Sequence, residues 1–389
     1  MPQKKLNTSL PSLVFCAILC LSACSGENSP RQSLYDAFSH EDPPLPNWAT
    51  EKELEKAKQE DPSDTPPTRV TPPPPSGFRV PAEYEPMQAV ALGFAGYQSM
   101  LKEIARHVSA AGVKVLGLEG PSNLPDVPKE NYEALDFPIN SVWIRDYGPF
   151  GIDEQSGKLG IIDSTYRHYQ YRKEDDAVPC KLAARSNAAC YSTSLILDGG
   201  NFLTDGKGSL FMTGRTYEWN SKISREKVDL LLKDYYGIKK IHLFDYPKTS
   251  SGNPADGTGH IDMFVKLLGE CKVLVAESSD DEFRNTLEKA AAYFEGLPCI
   301  DERSYEVYRI KGWKSNGTWY TYTNSLIVNK TVIIPSYKKG DNEVARQIYQ
   351  KALPDYKTVL LPSDDSITSG GSIHCVTKEI PITSSGPLL

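Results

Sequence analysis

From about Phe78 onward, short apolar runs alternate with stretches whose apolar positions recur every three to four residues. The runs predict strands and the periodic stretches predict amphipathic helices. The first unit reads Ala89 to Phe94 as a strand, Met100 to Ala110 as a helix and Val113 to Leu118 as a strand. The second opens at Val142 to Asp146 and continues through Leu159 to Asp163, with no visible helix. The third pairs Leu195 to Asp198 with Ser209 to Met212, followed by helix Arg225 to Tyr236 and strand Ile241 to Phe244. The fourth pairs His260 to Val265 with Val273 to Val275, then helix Asp281 to Phe294 and strand Tyr305 to Ile310. The fifth pairs Thr323 to Val328 with Val332 to Ile334, then helix Glu343 to Leu353 and strand Thr358 to Leu361. Self-similarity of this kind predicts radial or stacked repeats rather than two unrelated domains. A doubly wound sheet would need single strands alternating with helices and a Gly-rich phosphate loop, which the sequence lacks. The expectation is α/β: a closed, pseudo-fivefold ring of ββαβ units with strand ends converging on a central site.

Upstream of Phe78 the pattern breaks. Residues 24–77 are rich in Pro, Glu, Asp and Ser, including Pro72 to Pro75, and read as a disordered tether with one short helix around Ala49 to Gln59. Such a linker would hold the body on the order of 40 Å or more from its anchor; a Pro-rich ligand for a partner domain is the rival use. Residues 1–23 join Lys4 and Lys5 to an apolar stretch from Leu10 to Ala23, ending in Leu21-Ser22-Ala23-Cys24. A charged start, a short apolar core and small residues at the cut describe an export signal. Cys24 after Leu-Ser-Ala resembles a bacterial lipobox cysteine that receives lipid, against ordinary cleavage near Ala23. Ser25 follows it, so the expectation is an outer-membrane lipoprotein attached by its lipid anchor alone. The body is then residues 78–389.

Composition narrows the partners. Among 389 residues, 43 Lys plus Arg against 50 Asp plus Glu leave a formal charge of −7, which gives no basic footprint for nucleic acid. No uncharged apolar run reaches the roughly 20 residues of a spanning helix. Five cysteines lie beyond residue 24, an odd number for an oxidising compartment. One arrangement pairs Cys180 with Cys190 across a short loop and Cys271 with Cys299 across a helix, leaving Cys375 free; the sequence leaves the connectivity open.

Polar and ionisable residues recur where these strands begin or end: Asp146, Asp198, His260, Asp262 and Asn324. Any one Asp reads as a turn or cap residue, and a lone His as a satisfied core group. Five at equivalent places in five repeats would meet at the axis. Cys375 joins them after Gly370-Gly371, where backbone can approach a ligand closely. A thiol, an imidazole and one carboxylate suit a thiol protease. Extra carboxylates would repel its oxyanion and instead match a guanidinium. His260 and Asp262 are only two apart and no standard zinc spacing is present, so no metal or cofactor is expected.

Four motifs carry a family resemblance: Trp143-Ile144-Arg145-Asp146-Tyr147-Gly148-Pro149, Asp198-Gly199-Gly200-Asn201, Gly259-His260-Ile261-Asp262-Met263-Phe264 and Gly370-Gly371-Ser372-Ile373-His374-Cys375-Val376-Thr377. Over Phe78 to about Pro381 the chain resembles the bacterial peptidylarginine deiminase and agmatine deiminase family of guanidino-group-modifying enzymes. The resemblance implies a five-bladed α/β propeller, the pentein fold. It also implies that Cys375 attacks the guanidinium carbon, that Asp146 and Asp262 grip its nitrogens, and that His260 acts as acid and then base, oriented by Asp198. Asn324 would hydrogen-bond substrate or thiol, and Trp143 would contact substrate. In the peptidylarginine branch, arginines near the Tyr166 to Lys173 stretch receive a substrate carboxylate, which points to Arg167 and Arg172; a solvated loop is the plain alternative. The cationic stretch and the export signal favour arginine at peptide C-termini, giving citrulline and ammonia. Agmatine deimination to N-carbamoylputrescine, or a non-catalytic guanidino-binding lipoprotein, is the alternative.

Overall fold

The computed structural model describes residues 44–60, 70–299 and 303–386. The expected signal and Cys24 lie outside them. Five sheets share one pattern: an antiparallel strand pair, then a third strand added in parallel after a crossover. In chain order they begin with Phe150–Asp153, Leu159–Thr165 and Ala189–Ile196. Next come Leu203–Thr204, Ser209–Thr213 and Lys240–Phe244, then Val265–Gly269, Lys272–Glu277 and Glu306–Lys311, and finally Leu326–Val328, Thr331–Ser336 and Lys357–Pro362. A two-stranded hairpin, Trp313–Ser315 with Thr318–Tyr320, stands apart from these; in the fifth sheet of the pattern the antiparallel partner is supplied from the far end of the chain. Lys378–Pro381 pairs with Met87–Gly93, which runs parallel to Lys114–Leu118, and Tyr132–Leu135 adds an edge. The central strands are apolar and buried on both faces: Val90, Ala91 and Leu92, Val273, Leu274 and Val275, and Val332, Ile333 and Ile334 have no exposed surface.

The expected helices form at Gln98–Ala110, Arg225–Tyr236, Asp281–Glu295 and Asn342–Ala352. The second unit also has its crossover helix, Val178–Arg185, which eight residues with two alanines and a Pro had hidden. The motif residues do not sit in strands, contrary to expectation. Asp146 lies in the short helix Ile144–Tyr147, and Asp198 caps the 3-10 turn Gly199–Asn201. Asp262 lies in the 3-10 turn Ile261–Met263, with His260 at its start. Each turn precedes the first strand of its sheet, so backbone free of ladder bonds can aim side chains inward. Cys180–Cys190 and Cys271–Cys299 are disulfides, with Cα atoms 5.5 and 5.4 Å apart, and Cys375 is free.

The tether reading fails for residues 44–60. Helix Glu51–Glu60 forms as expected, started by a reciprocal cap: the Thr50 amide donates to Glu53 Oε2 at 2.8 Å and the Glu53 amide to Thr50 Oγ1 at 3.2 Å. Yet this segment packs on the body. An extended Pro-rich strand buries little apolar surface, but its carbonyls accept from donors that the body would otherwise leave buried and unpaired. Farther on, the Thr71 amide and hydroxyl bond Ser192 across the body's surface.

The closing strand carries an ion pair with a calculable pH signature. Arg145 Nη2 meets Glu379 Oε2 at 2.7 Å. Burial pushes the Glu379 carboxyl up, but Arg145 and Lys378 outweigh it and hold it near 2, below its ordinary 4.5. A depressed carboxylate stabilises the fold above its unfolded value and loses that contribution as pH falls through its folded one. Thermal midpoints should therefore drop between about pH 4.5 and 2. Glu379→Gln should lower stability at neutral pH by leaving Arg145 unpaired and should shrink that acid-side loss.

Candidate active site

The expected residues converge. Cys375, His260, Asp262, Asp198 and Asn324 have no exposed surface, and Asp146 only 1%. Cys375 is held by Asn324 from two sides: the side-chain amide donates to Sγ at 3.2 Å, while its carbonyl accepts from the Ser372 amide at 2.8 Å and the Cys375 amide at 3.3 Å. Cys375 Sγ lies 3.7 Å from Asp262 Oδ2. Two glycines give the clearance. A Cβ on Gly371 would stand 2.6 Å from Cys375 Sγ, and one on Gly200 would stand 2.5 Å from His260 Nδ1 and 2.8 Å from Asp146 Oδ1. The Gly200 amide instead donates to Asp146 Oδ1 at 3.0 Å.

His260 lies between two carboxylates, with Nδ1 3.5 Å from Asp146 Oδ1 and Nε2 3.3 Å from Asp198 Oδ2. Burial lowers its proton affinity, but Asp146 and then Asp198 outweigh that and raise it above the ordinary value. Burial raises Asp146, against the pull of His260 and with the push of Asp198. For Asp198, burial is overcome by Arg167 and His260, and its carboxyl falls below the usual range. Asp262 is also lowered, burial being outweighed by its bond to His374. Burial, followed by the Asp262 and Asp146 charges, pushes the Cys375 thiol well up, against the Asn324 hydrogen bond. The thiol therefore sits among carboxylates that oppose its ionisation.

A supporting tier was not legible as such in the sequence. Nδ1 of His374 meets Asp262 Oδ2 at 2.7 Å and Nε2 meets Glu83 Oε2 at 2.8 Å. Lys266 Nζ closes the chain with bonds to both Glu83 oxygens at 2.5 and 2.6 Å. His374 stood next to Cys375 in the motif, which was its only signal; Glu83 had none. Trp219 was also missed: its ring meets His260 edge-on at 5.7 Å and underlies Arg167 at 5.6 Å.

Arg167 and Arg172 do not line an open cationic loop. Arg167 Nε pairs with Asp198 Oδ2 at 2.8 Å. Arg172 is fully buried and Nε pairs with Glu53 Oε1 at 2.9 Å. Each cation faces a carboxylate because neither could be buried alone. Trp143 is buried beside Gly371, and its indole donates to the Leu45 carbonyl at 2.8 Å. Asn47, which the sequence left in the tether, donates from Nδ2 to Asp146 Oδ2 at 2.9 Å and is wholly buried. Asp146, Asp198 and His260 place one ligand atom each within 4.8 Å of one another. Arg167 on Asp198 and two N–H donors on Asp146 already engage the oxygens a metal ion would need.

The family of Porphyromonas-type peptidyl-arginine deiminases matches residues 79–381. A relative from Marinomonas sp. (strain MWYL1), named as an inferred agmatine deiminase, is 26% identical across 81% of this chain and 97% of its own length. Among solved structures, the agmatine deiminase of Enterococcus faecalis superposes with a TM-score of 0.70 at 21% identity, over 82% of this chain and 99% of that one. The inferred arginine deiminase from Porphyromonas gingivalis superposes with a TM-score of 0.70 at 20% identity, over 78% and 98%. These two likenesses speak for the fold, whereas the four motifs and the match across 79–381 speak for the lineage. The chain belongs to the Porphyromonas-type peptidyl-arginine deiminase family, hydrolytic deiminases of guanidino groups.

Proposed function

We propose that the chain deiminates a small guanidino compound of the agmatine kind to its ureido product and ammonia, rather than a peptide C-terminus. The observation that carries this is the pairing of the candidate carboxylate receiver Arg167 with Asp198 inside the body, which leaves its charge neutralised whatever the upstream segment does. The names of the relatives point the same way. Asp146 and Asp262 take the guanidinium nitrogens, and the bound cation lowers the affinity of Cys375 for its proton, which is released to solvent water as substrate enters. The thiolate then attacks the guanidinium carbon. His260, protonated because of its carboxylate neighbours, gives its proton to the departing ammonia. The neutral ring next takes a proton from water, which attacks the thiouronium carbon and expels the thiolate. Asp198 keeps His260 oriented, and Asn324 and Trp143 shape the pocket. The chain's own residues supply every group in this sequence.

Peptidyl-arginine at C-termini is the second reading, favoured by the family match and by Arg172, which would face a substrate carboxylate if Glu53 left. We further propose that the five sheets are the blades of one propeller, and that the chain is exported and anchored through Cys24; the two disulfides support export. Ammonia release from agmatine, free arginine, an arginine-terminated peptide and a peptide with internal arginine separates the readings. The expected result is a kcat/KM for agmatine at least about tenfold above the others. Preference for the arginine-terminated peptide would install the second reading, and no turnover of any would remove both.

A further inference from the structure

The segment on either side of Asn47 lies upstream of the family match, which begins at residue 79. The relatives align along 97–99% of their own length using about four-fifths of this chain. The segment nevertheless reaches the reaction centre. The Asn47 carboxamide presents an N–H to Asp146 Oδ2 at 2.9 Å, the kind of contact a guanidinium nitrogen makes. Its amide donates to the Ser369 carbonyl at 2.8 Å, beside the loop leading to Cys375. Arg167 Nη2 donates to the Asn47 carbonyl at 2.7 Å and also to its side-chain oxygen. Arg172 Nη2 donates to the carbonyls of Pro46 at 2.8 Å and Trp48 at 3.1 Å. Six residues after Asn47, Glu53 places a carboxylate on the Arg172 guanidinium. The body has glycine at three of the close approaches. A Cβ on Gly96, Gly257 or Gly370 would stand 2.5, 3.2 and 2.9 Å from Pro44, Trp48 and Asn47.

We infer that this face of the deiminase is a docking surface for the chain's own segment 44–60, which occupies the substrate site and competes with a guanidino ligand for Asp146. The Asn47 amide on the guanidinium-binding carboxylate stands where a guanidino nitrogen would stand, and the Glu53 pair with Arg172 holds the segment there. Because it is tethered, it acts at high effective concentration and needs little intrinsic affinity. The inference rests on the role given above to Asp146, and the test reads it independently of turnover.

In the full chain, Asn47→Ala and Glu53→Gln are each compared with wild type. One readout is KM and kcat for agmatine. The other is the rate at which 2-chloroacetamidine, a small amidinium electrophile, alkylates Cys375, followed by intact mass. Loss of one charge-assisted bond should lower KM and raise the alkylation rate, each by about tenfold in Asn47→Ala, with kcat unchanged. Glu53→Gln, at the edge of the segment, should move both the same way and serves if Asn47→Ala does not fold. A raised KM or lowered kcat without faster alkylation would make the segment a wall of the productive pocket and overturn the inference, as would no change in either variant. Faster alkylation in a chain that turns over no guanidino compound would uphold the docking and remove only the proposed reaction.

Discussion

Cys375→Ala should abolish ammonia release from agmatine, by about 10⁴-fold or more in kcat, while leaving substrate binding measurable. The thiol is buried against two carboxylates and its proton affinity is pushed well up, so it is a poor nucleophile until a cation arrives. Cys375→Ser should be almost as inactive, since a hydroxyl in the same field is harder still to ionise. Acid-quenched wild-type enzyme should carry a covalent adduct with the mass of substrate less ammonia, seen by intact mass spectrometry and absent from both variants. Turnover by Cys375→Ala would end the covalent mechanism.

Asp262→Asn should cut kcat/KM by about 10²–10⁴-fold, the effect of losing one or two charge-assisted hydrogen bonds worth about 1.5–3 kcal/mol each. Asp146→Asn should fall in the same range. Asp262 also makes the free thiol harder to ionise, and it accepts from His374 at 2.7 Å and from Asn324 at 3.1 Å. The same variant should therefore make Cys375 of the free enzyme more acidic, seen as a lower midpoint in its alkylation by iodoacetamide against pH. A nucleophile that grows more reactive while catalysis collapses distinguishes loss of substrate grip from general damage. An unchanged alkylation midpoint with intact fold would show that Asp262 does not set the field at the thiol. Glu83, bonded through His374, should share the catalytic loss in part, because it fixes where the Asp262 oxygen stands.

The sequence by itself determined the five units, because apolar runs and 3.6-residue periodicity are local consequences of burying one face of a strand or helix. It also pointed to the residues that the fold brings together. Asp146, Asp198, His260, Asp262, Asn324 and Cys375 stand in short motifs whose glycines and turn residues announce special backbone. The disulfide pairing was one arrangement that the sequence left open, and the fold selects it by bringing the Cα atoms of each pair to 5.5 and 5.4 Å. Three further things were decided only by the tertiary structure. The motif residues occupy turns ahead of the strands rather than strand ends, a distinction that apolar runs do not encode. The Glu83–His374–Asp262 chain joins residues almost 300 positions apart, where no local pattern can signal contact. The charge of Arg167 and Arg172 was visible, but its neutralisation was not. Burial of a guanidinium requires a carboxylate partner, and for Arg172 the fold brings Glu53 from a segment whose composition alone reads as a tether.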